Sequence, residues 1–178
     1  MNILSALPVN PILPLNLLLG YAIFFTALRI YVWPRLSTLS PATLLTPILL
    51  LHAGRELGLM FLFEGATKPG MPAAFAVPAA WGDFAAAVLA VIALRAVRTG
   101  AASARTWVWV FNLFGTADLL NAIAMAVIHQ SAAYLGAAYW IPAFWVPMLL
   151  APHTLVFVYL LRHWRAPAGA ATRSTARA

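Results

Sequence analysis

Cysteine is absent from the 178 residues, which excludes disulfides, thiolate metal sites and cysteine nucleophiles. Charge is scarce as well. Charged side chains make up 8% of the chain, against about 25% in soluble domains, and that deficit alone argues for a membrane protein. There are four acidic residues and one lysine, Lys68, against ten arginines. No positive n-region precedes the first apolar run, and Pro8, Pro11 and Pro14 break residues 1–16, so a cleavable signal peptide is not expected. Internal repeats are missing, which leaves an inverted-repeat transporter without support. Serine nucleophiles are missing from the apolar runs, so an intramembrane hydrolase is not expected, and an enzyme remains only as an electron-transfer or metal-dependent alternative.

What is present is 63% apolar. A spanning helix needs about 20 apolar residues, and five runs qualify: 12–33, 42–63, 79–97, 107–129 and 144–164. The expected fold is therefore all-α, a polytopic membrane helical bundle forming one domain over residues 1–165. A disordered basic tail is expected over 166–178. The segment 64–80, with Pro69, Gly70, Pro72 and Pro78, reads as a loop. Its Met71, Phe75 and Val77 suggest that it lies on the bundle or dips into it.

The net charge of +7 does not point to nucleic acid, because the basic residues sit at the ends of apolar runs rather than on a soluble face. Arg29, Arg35, Arg95, Arg98, Arg105, Arg162, Arg165, Arg173 and Arg177 fall on one side, nine of the eleven. The positive-inside rule then puts the N-terminus outside and the C-terminus in the cytoplasm. Tyr31, Trp33, Trp107, Trp109 and Trp164 mark the inner interface. Trp81, Tyr134, Tyr139, Trp140 and Trp145 mark the outer one. The bias to arginine and alanine suggests a GC-rich bacterial genome, hence a bacterial inner membrane, with the lipid bilayer as the first partner.

Ionisable side chains inside spans are functional-site candidates by default. The second span carries His52, Arg55 and Glu56, spaced to share one face of an α-helix. The fourth carries Asp118 and Asn121 on a stripe with Gly115, leaving Asn112 off it. The fifth carries His153, and the third has Asp83 near its outer start, where a carboxylate could also serve as a helix cap. The depths implied by the expected helix ends put His52, Asp118 and His153 near one plane and Asp83 only about 5 Å deep, at an outer mouth. Gly54 and Gly58 lie opposite the charged face as a small-residue strip for helix contact, and with the alanine-rich third span they offer a route to a homo-oligomer. Glu56, Asp83 and Asp118 against Arg55 leave a surplus of two negative charges. A low dielectric tolerates that only with protons, charged histidines or a bound cation.

The strings His52-Ala-Gly-Arg55, Pro78-Ala-Ala-Trp-Gly82-Asp83 and Asn112-Leu-Phe-Gly115-Thr-Ala-Asp118 together resemble a group of small uncharacterised bacterial integral membrane proteins. The resemblance implies a recurring architecture and brings no activity with it.

Three functions compete. The cluster of His52, Arg55, Glu56, Asp83, Asp118, Asn121 and His153 would bind a small ligand, an ion or protons, with Arg55 able to hold an anion and transport as the wider role. Alternatively, His52 and His153 would be axial ligands of a haem, or would join Asp118 and Asp83 around a divalent metal. Finally, the cluster would only tie helices together in a structural or assembly subunit.

Overall fold

Ser40 shows how these helices begin. Its side chain accepts a hydrogen bond from the Thr43 amide at 3.1 Å, and Pro41 occupies the first helical position, where a missing N–H costs nothing. In the computed structural model, which describes residues 11–164, this cap opens α2, Pro41–Ala53. The other long helices are α1, Ile12–Tyr31; α3, Ala73–Arg98; α4, Ala104–Ile128; and α5, Val146–Arg162. A 3-10 segment, Gly54–Leu62, continues α2, and a π turn, Ile141–Trp145, leads into α5. With these extensions, five helical stretches are long and apolar enough to cross a membrane. No strand occurs among the described residues. The expected tail over 166–178 and the basic residues Arg165, Arg173 and Arg177 lie outside them.

Two boundaries differ from the sequence reading in ways that matter for the site. First, α3 starts at Ala73, not near Ala79, and runs through Pro78. Proline removes one helical hydrogen bond, but neighbours inside a membrane protein can satisfy the freed carbonyl. The part of the expected loop that would dip into the bundle is thus helical, and Phe75 is buried against Phe61 with ring centroids 5.2 Å apart. Second, the helix geometry tightens after Ala53. A 3-10 helix has about three residues per turn, so positions i, i+3 and i+6 line up. The buried residues of Gly54–Leu62 are Arg55, Gly58 and Phe61, at that period.

α3 is the centre of the packing. Ala76, Ala79, Ala80, Ala86, Ala87 and Ala90 form a small-residue face turned to the interior, while Trp81, Phe84, Val88 and Val91 stay exposed. That face meets α2, its 3-10 extension and α4, where small side chains let backbones approach closely. The alanine strip is therefore consumed inside the chain. The same holds for the glycines of the second span, since Gly58 faces Asp83 and Gly54 faces the Trp145 ring.

Two apolar clusters bracket the bundle. One, at the end that carries the α3–α4 connection, includes Leu45, Leu49, Ala93, Val108, Phe111, Val156 and Tyr159; the other, at the end that carries the α2–α3 and α4–α5 connections, includes Leu13, Phe61, Phe75, Leu135 and Ile141. At that second end the two connections are stitched together. The Lys68 amide donates to the Tyr134 carbonyl at 2.8 Å and the Ala138 amide to the Ala66 carbonyl at 2.9 Å. Gly136 allows this, with a φ of +55° and only 3.0 Å between a would-be Cβ and the Ala66 carbonyl oxygen.

Candidate functional site

Between the two apolar clusters lies a polar layer centred on Arg55. Its guanidinium is completely buried and works in three directions. Nε donates to Oδ1 of Asp83 at 2.7 Å, Nη2 to Oδ2 of Asp118 at 2.6 Å, and Nη1 to the carbonyl of Gly115 at 3.1 Å. One side chain from the 3-10 extension of α2 is thus bonded to α3 and α4 together. The rigid fork of arginine suits this arrangement, and a lysine could not reproduce it.

The three charged residues share one depth. Asp83 is ten residues inside α3 and Asp118 ten residues from the C-terminal end of α4, each about 15 Å along the axis. Arg55 is seven residues from Leu62, about 14 Å at the longer rise of a 3-10 helix. Asp83 is therefore not at an outer mouth and does not cap a helix start, because six further residues of α3 precede the expected boundary.

Glycines make the room. A Cβ on Gly58 would collide with the Asp83 carboxylate, and one on Gly82 with the Asp118 carboxylate. At Gly115 an added Cβ would sit 2.9 Å from Arg55 Nη1 and 2.7 Å from the ring of His153. Each helix of the charged triad contributes one glycine against a polar group of a neighbour.

Adjacent to this layer, His52 and His153 face each other with ring centroids 4.3 Å apart, and Phe111 packs edge-on to His52 at 5.0 Å. Asn112, also fully buried, holds His153 from two sides. Its side-chain N–H donates to the His153 carbonyl at 3.2 Å, which turns the amide oxygen towards His153 Nδ1 at 2.7 Å. His153 therefore carries its proton on Nδ1 when neutral, and Nε2 keeps a lone pair with no hydrogen-bond partner among the described residues. Neither ring nitrogen of His52 has a partner among them either. Replacing an unpartnered buried polar group by an apolar one of similar shape is close to neutral or stabilising. His52→Phe is accordingly expected to keep or raise the Tm of the detergent-solubilised protein. A clear fall in Tm would show that the imidazole nitrogens are engaged.

A cavity of about 250 Å³ lies between the charged layer and the α2–α3 and α4–α5 connections. Leu13 and Leu17 of α1, Leu119, Ile123 and Ala126 of α4, and Val146 of α5 give it apolar walls. Phe61, Phe75 and the connection around Leu135 close it, and its polar lining residues are Asp83 and Gln130. The Asp83 side chain is only 11% exposed, with Oδ1 already bonded to Arg55.

The sequence-predicted residues now sort by position. His52, Arg55, Asp83, Asp118 and His153 come together on four helical stretches. Glu56 does not join them; it is exposed, because the 3-10 geometry turns it away from the face carrying Arg55. Asn121 is also exposed. Each i+3 step on an α-helix drifts by about 60°, so a stripe that starts at Asn112 and passes Gly115 has left the interior by Asn121. Asn112 takes the inward position assigned to Asn121.

The geometry does not fit a haem. An iron between two axial imidazoles would separate the ring centres well beyond 4.3 Å and needs a planar macrocycle between them, where the rings here are in contact. A divalent metal finds no donor set either: no group of three or more histidines and carboxylates is close enough to hold one among the described residues. The two aspartates are turned to Arg55 instead.

Residues 12–161, from the start of α1 to the end of α5, match the family described as Domain of unknown function (DUF8737). The chain belongs to this family. The match covers the whole charged layer and all five helices, so this bundle is the family's domain rather than an appendage to it. No curated protein and no solved structure matches the chain.

Proposed function

We propose that this protein is a multi-pass binding protein of a bacterial inner membrane, with its N-terminus outside and its C-terminus in the cytoplasm. It takes a small, mostly apolar molecule into the cavity beneath the outer connections. The observation that carries this reading is the meeting of that cavity with Asp83. Ligand sites are typically concave and apolar with a few polar groups that fix orientation, and this cavity, just below the usual size range, has that makeup. The resemblance to small bacterial membrane proteins and the arginine bias support the compartment, and the arginines near the inner ends of α1, α3, α4 and α5 support the orientation.

The charged layer has two roles in this reading. Arg55 ties α2, α3 and α4, and through Asp83 the same tie presents a carboxylate to the ligand. α1 forms one wall of the cavity, and Leu13 is its one buried residue.

The test is to fill the cavity. Ala126→Phe adds a ring to its wall without touching the charged layer. Native mass spectrometry of gently solubilised protein is expected to show a small-molecule adduct on the wild-type chain that the variant lacks. Bare chains in both samples, together with identical thermal shifts from a panel of small apolar compounds, would remove the reading.

A further inference from the structure

Resting on the reading of the cavity as a ligand site, we propose that the ligand is a monocation: a protonated amine on a small apolar body, with its ammonium group on Asp83.

The charge count comes first. Glu56 lies outside the layer, so the buried charges are Arg55 against Asp83 and Asp118. With both carboxylates ionised and the neighbouring histidines neutral, the sum is one negative charge. A low dielectric meets such a surplus with a proton or a counter-charge. One positive charge balances the layer; an anion would double the surplus.

Geometry then chooses where that charge sits. Asp83 lines the cavity and Asp118 does not. Arg55 bonds Oδ1 of Asp83, and among the described residues no hydrogen bond engages Oδ2. An ionised carboxylate only accepts hydrogen bonds, so the ligand must bring a donor. Charge-assisted bonds are roughly twice as strong as neutral ones, so an ammonium is favoured over a hydroxyl. Beyond Asp83 the lining is apolar as far as Gln130 at the far end, which calls for a hydrocarbon body rather than a polar one.

Three probes of equal length separate the terms: n-hexylamine, n-hexanol and hexanoate, titrated at pH 7 into the detergent-purified full chain. Hexylamine is expected to bind about tenfold or more tightly than hexanol, with hexanoate weakest. Asp83→Asn is expected to bring amine and alcohol level, and Ala126→Phe to abolish both. The ranking in the wild-type chain and its loss in Ala126→Phe decide the matter even if Asp83→Asn fails to fold. Equal affinity for amine and alcohol, both lost in Ala126→Phe, would overturn the cation and leave the cavity standing as a ligand site. Tighter hexanoate would overturn the cation in the same way. Binding that Ala126→Phe leaves unchanged, or no binding of any probe, would overturn both.

Discussion

Arg55→Ala is expected to abolish stable accumulation of the protein in the membrane. Removing one partner of a buried ionic arrangement costs about 3–5 kcal/mol, because the remaining charge is left buried and unpaired. Here the loss strands two carboxylates, Asp83 and Asp118. Membrane quantity is the direct readout, with Tm in detergent for whatever accumulates. A charge-free layer provides the control. The triple change Arg55→Met, Asp83→Ala and Asp118→Ala should recover much of the loss, since apolar replacement of a whole buried ion set is often neutral or better. If Arg55→Ala accumulates like the wild type, the guanidinium does not hold the three helices together.

Gly82→Ala is the second large effect. The added methyl would occupy the position of the Asp118 carboxylate, which has nowhere to go without breaking its bond to Arg55. Alanine is the better helix former by about 1 kcal/mol, so a position with free space would gain from the change. Overpacking of about 1–3 kcal/mol together with a displaced charge pair outweighs that gain, and a marked fall in Tm is expected. Gly65→Ala is no substitute as a control because of its positive φ. Ala124→Gly serves better: it lies on an exposed part of α4 and should cost only about 1 kcal/mol. A Gly82→Ala protein as stable as the wild type would mean that α3 and α4 do not approach as closely as described.

The five spans and the convergence of the charged residues could be read from composition, hydropathy and rarity of charge. The second span, the fourth and the fifth each carry an ionisable residue at mid-depth, and an expensive group in an apolar run announces itself. Three details could not be read in the same way. Nothing in Gly54-Arg55-Glu56-Leu57-Gly58 signals the change from α to 3-10 winding, because both patterns place apolar and small residues at short intervals. The assignment of Glu56 to the cluster followed from the wrong period. Pro78 argued for a loop because proline's local cost is visible in sequence, whereas the compensation by neighbouring helices is tertiary. That error moved Asp83 towards the surface by six residues. Asn112 and Asn121 are nine apart on one helix and chemically identical. Only the orientation of α4 against α5, through His153, distinguishes them.

The placement of Arg55 in the chain also constrains how this protein is made. An arginine near the middle of an isolated helix raises the cost of entering the bilayer by about 2.5–3.5 kcal/mol on the insertion scale. The residues that neutralise it are synthesised later, Asp83 twenty-eight positions on and Asp118 sixty-three positions on. α2 emerges from the ribosome without its counter-charge, and the first relief arrives with α3. The efficient route is for the α2–α3 hairpin to leave the translocon as a unit, already paired, with α4 completing the knot. Shortening the chain after α2 should therefore leave a segment that inserts poorly, and extending it through α3 should restore insertion before α4 and α5 exist.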